Sequence, residues 1–281
     1  MRSPERIIEE LKYKTAKCKN SKEFTYIDEV FGVTNSWIMD FHEKYKDCGL
    51  NHSFSINLVP KQIKERNIAP LAEVGLTFIQ TGIQSGVDHV RNDILNRPGS
   101  SQDVYEKAVM MKKYNIMPLC DMILENPFET AKDMADSIKL LLSLPKPLYL
   151  NTFKLQFYPS YPMSKRALEA GYITEDDLTE EACADVLWNR YNFIPTVFSL
   201  SRKNYLESCI YILGLSMFFK NYSFIQNSGE ALARHLCQES NIFLGILANI
   251  IARTKYTLHS RELAPFITAL ESHPILVTNI F

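Results

Sequence analysis

Cysteine carries the most demanding chemistry in this chain, and its spacing argues against that chemistry. Cys18, Cys48, Cys120, Cys183, Cys209 and Cys237 are scattered over 281 residues, and even the nearest two, Cys183 and Cys209, lie 26 positions apart. A soft metal centre needs converging thiolates, which sequences achieve by packing them into one short loop. The six histidines are equally dispersed, with no HExxH pair. His235 and Cys237, two apart on a predicted helix, point to different faces. There is no GxSxG elbow, P-loop or GxGxxG turn. The first residues form a charged helix pattern rather than an apolar leader, so the cysteines read as free, mostly buried thiols in the cytoplasm.

The remaining polar chemistry collects where apolar runs end. Those ends read Ile27-Asp28-Glu29, Ile56-Asn57, Gly82-Ile83-Gln84-Ser85-Gly86, Asp121 with Glu125-Asn126-Pro127-Phe128-Glu129-Thr130, and Gln156-Phe157-Tyr158-Pro159. In a parallel α/β fold, residues at the C-terminal ends of strands line the ligand pocket. The glycines and prolines among them shape backbone that can approach a ligand.

Five runs are predicted to carry these ends as strands: Glu23–Asp28, Ser53–Asn57, Leu76–Ile83, Met117–Leu124 and about Tyr149–Phe157. Amphipathic helical patterns alternate with them. Ser3-Pro4-Glu5 starts the first helix with a cap, a proline and an acidic first turn. Trp37, Ile38, Phe41 and Tyr45 give the second one apolar face, Gly75 stops a third, and Ser101–Tyr114 is a fourth. Thr130-Ala-Lys-Asp133 starts another with a capping box in which Asp replaces the usual Glu. Five βα units in this length fit a partial (β/α) barrel or an open doubly wound sheet. From Gly171 the texture changes, and residues 171–281 read as an all-helical region. Its aromatics (Trp188, Tyr191, Phe193, Phe198, Tyr205, Tyr211, Phe218 and Phe219) are expected in its core.

Composition narrows the partners. With 46% hydrophobic and 22% charged residues and a net charge of -1, nothing global draws the chain to nucleic acid or an anionic membrane. Lys12, Lys14, Lys17 and Lys19 form a solvated helix edge. The longest apolar stretches, Ile210–Phe219 and Ile242–Ala252, are too short for a membrane span, which needs roughly 20 residues.

Six segments in order, IDEVFG, SINLVP, LTFIQTGIQSG, ILNRPGS, ILENPFET and LQFYPSYPM, resemble successive signatures of the radical S-adenosylmethionine (SAM) superfamily. They are most similar to the branch with an upstream cobalamin-binding domain. The resemblance spans Arg2 to about Ala170. It implies a partial radical SAM barrel over 1–170 with its first strand missing, followed by the helical region 171–281. It also implies SAM and a [4Fe–4S] cluster as cofactors, with cobalamin in a full-length parent. Matched position by position, Asn57 would face the SAM amino acid moiety, and Gln80, Gln84 and Ser85 its ribose and methionine. Arg97 would meet the carboxylate, where a guanidinium can bind bidentately. Asp121 would face the ligand, and Ile123 to Pro127 would pack on adenine. Asp28 and Glu29 are candidates for facing substrate or capping a loop.

Three departures qualify the match. Glu125 replaces the usual Gly of the fifth-strand motif, and Ser160-Tyr161 replace a Gly-Thr turn. The CxxxCxxC loop is absent, so this chain alone is expected to be inactive. Three readings follow: part of a radical SAM enzyme acting on an unidentified substrate, a degenerate non-catalytic partner or binding subunit, or an unrelated α/β binding protein. A missing first strand would leave an apolar edge beside Phe24–Asp28, to be covered by a partner chain or an N-terminal segment.

Overall fold

Each run expected to form a strand does so in the computed structural model, which describes residues 2–179 except 19 and 33, with 203, 206–210, 213, 223–238 and 276–278. The strands are β1 (Glu23–Tyr26), β2 (Ser53–Asn57), β3 (Leu76–Gln84), β4 (Met117–Leu124) and β5 (Tyr149–Lys154). Between them run helices α1 (Pro4–Lys17), α2 (Asn35–Asp47), α3 (Glu65–Glu73), α4 (Ser101–Lys113) and α5 (Ala131–Ser143); α6 (Pro162–Glu169) follows β5. The expected helix starts are realised. Ser3 accepts from Arg6 N–H, and Thr130 and Asp133 form a reciprocal capping box.

The strand order decides between the two expected architectures. All pairs are parallel and the order is β5-β4-β3-β2-β1-β6, where β6 is Leu276–Thr278. A doubly wound sheet reverses direction at a switch point; here β1 to β5 advance one way throughout. Right-handed crossovers then place every helix on one face, and such a sheet curls into a half-barrel. Burial follows. Ile79, Ile83, Cys120, Met122, Leu124 and Leu150 are sealed under the helices, whereas Phe78, Gln80, Leu119, Asp121 and Asn151 on the opposite, concave face remain half-buried.

Two cores fill the convex side. Around β1 and β2, Tyr26, Phe31, Phe41 and Phe54 form one aromatic cluster, in which Tyr26 meets Phe41 edge-to-face with centroids 6.2 Å apart. Beneath β3 to β5, a second core includes Leu206, Cys209, Ile210, Leu213 and Ala233. The described residues at 203, 206–210 and 213 and the helix α7 (Ser223–Gln238) are thus helical and share a core with the barrel. Residues 276–278 are a strand, so the all-helical expectation fails there: β6 pairs with β1 from Phe24 to Tyr26. The edge expected to lie open is covered. Cys183 and the eight C-terminal aromatics lie outside the described residues.

Both glycine replacements noted in the sequence fall where backbone favours glycine. Glu125 has φ +55° and Ser160 φ +66°. A left-handed conformation costs an L-residue roughly 1–2 kcal/mol. Glu125→Gly and Ser160→Gly are each expected to stabilise the chain by about 0.5–1 kcal/mol in urea denaturation. For Glu125 the lost ion pair to half-exposed Lys154 (3.0 Å) subtracts little. An unchanged or lower midpoint in both variants would contradict the strain.

Candidate ligand site at the strand ends

The site is built by three neighbouring strands and the loops that leave them. In the β3–β4–β5 ladder, Gly82 is level with Asp121 and Asp121 with Asn151. Gln80, one pleat below, reaches up: its Nε2 donates to both Asp121 oxygens, at 3.1 and 3.0 Å. Asn151 Nδ2 donates to Asp121 Oδ1 at 3.2 Å. The structure therefore brings together two of the candidate residues, Gln80 and Asp121, and adds Asn151, which sequence reasoning missed. Burial raises the Asp121 pKa, and the two amides oppose that rise.

At the rim, β3 ends in an irregular step in which Gln84 adopts φ +62°. A Cβ on Gly82 would meet Gln84 Nε2 at 2.1 Å, so the Gln84 side chain folds over the bare Cα of Gly82. Ser85 has no exposure. Its Oγ donates to Glu129 Oε1 (2.7 Å), and its carbonyl accepts from Arg91 Nη1 (2.6 Å). It supports the rim from behind and does not line it. Asn57 Nδ2 donates to the carbonyl of Asp28 (2.9 Å), tying the loop after β1 to β2. Asn57 stands beside Gln80 in the ladder.

Arg97 stands apart from this group. It is exposed on the loop before α4, its N–H anchored on the Arg91 carbonyl at 2.7 Å. It lines a cleft of about 270 Å³ with Pro60, Lys61, Gly82 and Ile83. Arg91 is the hidden organiser of that wall: buried, it binds Ser85 O, Asp88 Oδ1 (2.6 Å) and Ser101 Oγ (3.3 Å). Only the Asp88…Arg91 spacing hinted at it in the sequence.

Behind the β4 end lies a second polar cluster. Glu129 and Glu207 are each 4% exposed. Burial pushes the Glu129 carboxyl up to about 7 against the pull of Ser85 and Lys203, and Glu207 likewise to about 7 against Lys203 and the Glu125 N–H. Lys203 Nζ donates to the carbonyl of Asn126, and Glu207 Oε1 accepts from Glu125 N (3.1 Å). The motif ENPFET thus meets the helical residues of the second half through these contacts. Glu125, Lys154, Gln156, Tyr158 and Tyr172 line a further cleft of about 320 Å³.

The described cysteines do not suit a cluster. Cys18, Cys48, Cys120, Cys209 and Cys237 form no disulfide, and no group of three or more metal-ligating side chains converges among the described residues. Burial raises the thiols of Cys120, to about 12, and Cys209, and a protonated thiol is a poor ligand. No described helix is long and apolar enough to cross a membrane.

No family model and no curated protein matches the chain. Solved structures do. The cobalamin-dependent S-adenosylmethionine radical enzyme OxsB, with aqua-cobalamin and S-adenosylmethionine bound, aligns with 99% of this chain at 12% identity and a TM-score of 0.63. Its form with aqua-cobalamin alone gives 13% and 0.61. The radical S-adenosylmethionine methyltransferase TsrM from Kitasatospora setae, with cobalamin and a [4Fe–4S] cluster bound, covers 60% of this chain at 15% identity and a TM-score of 0.50. The chain spans 52% of the length of OxsB and 32% of that of TsrM. At these identities the likeness is one of fold: the chain has the partial barrel of radical SAM enzymes, and it resembles cobalamin-dependent ones.

Proposed function

We propose that this chain is the SAM-holding portion of a radical SAM enzyme, residues 1–170 forming most of the barrel and 171–281 a mainly helical region that also supplies β6 to the sheet. The observation that carries this reading is the cleft at Arg97. It opens at the C-terminal end of β3, beside the bare Cα of Gly82, on a sheet with the fold of radical SAM enzymes. A guanidinium there suits the SAM carboxylate, with Asn57 and Gln84 facing the ligand, Gln80 holding Asp121 and Ser85 holding the loop. Asp121 stands level with Gly82 on the neighbouring strand. When bound at a reduced [4Fe–4S] cluster, SAM supplies a 5′-deoxyadenosyl radical. The described cysteines do not fit that cluster, so its ligands would come from elsewhere in the parent assembly, to which cobalamin would also belong. A partner chain or added segment pairing with β1 would have to displace β6. The absence of disulfides among the described cysteines fits a cytoplasmic setting.

One observation favours a second reading, a non-catalytic binding subunit. Glu125 carries a carboxylate where the family motif has glycine; the carboxylate pairs with Lys154, and the Glu125 backbone N–H donates to Glu207. Calorimetric titration with S-adenosylhomocysteine separates the two. On the first reading the wild-type chain binds, and Arg97→Ala weakens binding by about tenfold, 1.4 kcal/mol. No binding at millimolar ligand would overturn it. Recovery of binding in Glu125→Gly alone would establish the second.

A further inference from the structure

The concave wall below the rim has a composition that SAM binding does not explain. Its middle level is the Gln80–Asp121–Asn151 group, and around it on the same face lie Phe78, Leu119 and Tyr149, all half-buried. Phe78 and Tyr149 have ring centroids 5.9 Å apart. Asp121 is the anion of this wall, and what acts on it is burial and two neutral amides; no cation among the described residues takes part. A carboxylate removed from bulk water without a counter-charge is costly, unless a partner supplies the charge. Two amides fixed on its oxygens favour the ionised form and fix its direction, leaving lone pairs for a third donor. Gln80, Asp121 and Asn151 come from three different strands, so the group is held by the ladder itself.

We propose that this wall is the substrate subsite, that it takes a small organic amine with an aromatic or apolar body, and that Asp121 is the anion that receives the ammonium. Gln80 and Asn151 are positioning residues: they hold the carboxylate, while Phe78, Leu119 and Tyr149 form the apolar bed. The inference rests on the reading that the concavity is the ligand chamber, and it moves Asp121 from the SAM contact to the second ligand.

Phenethylamine, its neutral counterpart 2-phenylethanol and S-adenosylhomocysteine serve as probes, titrated separately into the full 281-residue chain with ligand-observed NMR and calorimetry. The amine is expected to bind at least tenfold more tightly than the alcohol. Asp121→Asn, isosteric and able to keep its strand contacts, is expected to remove that preference while leaving S-adenosylhomocysteine unchanged. Asn151→Ala keeps the charge and loosens it, and is expected to weaken the amine about threefold, by roughly 0.7 kcal/mol. Equal binding of amine and alcohol by the wild type, or no binding of either, overturns the subsite. So does an amine affinity that survives Asp121→Asn, or a parallel loss of S-adenosylhomocysteine, which would return Asp121 to the SAM site. Amine binding without any S-adenosylhomocysteine binding would instead overturn the reading of the rim and leave the subsite standing.

Discussion

Gly86→Ala is expected to destabilise the chain by about 3 kcal/mol or more, the largest effect of any single methyl added to the site. A Cβ at Gly86 would lie 2.4 Å from the Cα of Ser137 and 2.9 Å from its Oγ. The nearest atom is backbone, so no rotamer change relieves it. Moving α5 away would also break the 2.9 Å bond from Gly86 N to Ser137 Oγ and disturb Ser85, which is fully buried one residue earlier. The run Gly82-Ile83-Gln84-Ser85-Gly86 thus has a physical basis at its second glycine: it lets the β3 exit loop lie on α5. Urea denaturation measures the cost, and a loss below about 1 kcal/mol would show that the loop and helix are not in this contact.

The second large effect is a stability that depends on pH in the direction opposite to ordinary acid denaturation. The Glu129 carboxyl has a reference pKa of 4.5 and stands at about 7 in the folded chain. Between those values the folded state keeps a proton that the unfolded state releases, so stability falls as pH rises through this window and the deficit is complete above it. The difference amounts to roughly 3 kcal/mol. Glu129→Gln removes it: the amide oxygen can still accept from Ser85, and the amide nitrogen replaces Glu129 Oε2, a buried atom without a hydrogen bond. The variant should therefore gain up to about 3 kcal/mol at pH 8 and little at pH 4.5. Glu207, also near 7, leaves part of the wild-type slope in place. Equal denaturation midpoints at pH 8, or a gain confined to acid pH, would contradict the burial of Glu129.

Local signals made the first half of the fold readable. Ser53–Asn57 and Met117–Leu124 are strands over the predicted residues, because alternation and the following polar residue fix both ends. β1 stops at Tyr26 rather than Asp28, since the chain turns so that Phe31 N–H reaches the Asn57 carbonyl at 2.9 Å. β5 ends at Lys154, short of Phe157. The departures at Glu125 and Ser160 were legible as substitutions, but that they retain a glycine-like backbone is seen only in φ. What sequence could not give was set by register and distance. Asn151 matters because β5 aligns it with Asp121, and Glu129 because Lys203, 74 positions later, comes to lie near it. Ser85 was read as a ligand contact from its place in a motif; in the fold it is fully buried and donates to Glu129. The pairing of residues 276–278 with β1 has no local signature at all.

Hydrogen–deuterium exchange of the full chain with and without S-adenosylhomocysteine tests most directly whether these residues hold SAM. The account predicts protection confined to the loop after β2 (residues 57–61), the β3 end (80–86) and the loop before α4 (96–101), which frame the Arg97 cleft. No protection at saturating ligand, or protection confined to segments elsewhere, would contradict it.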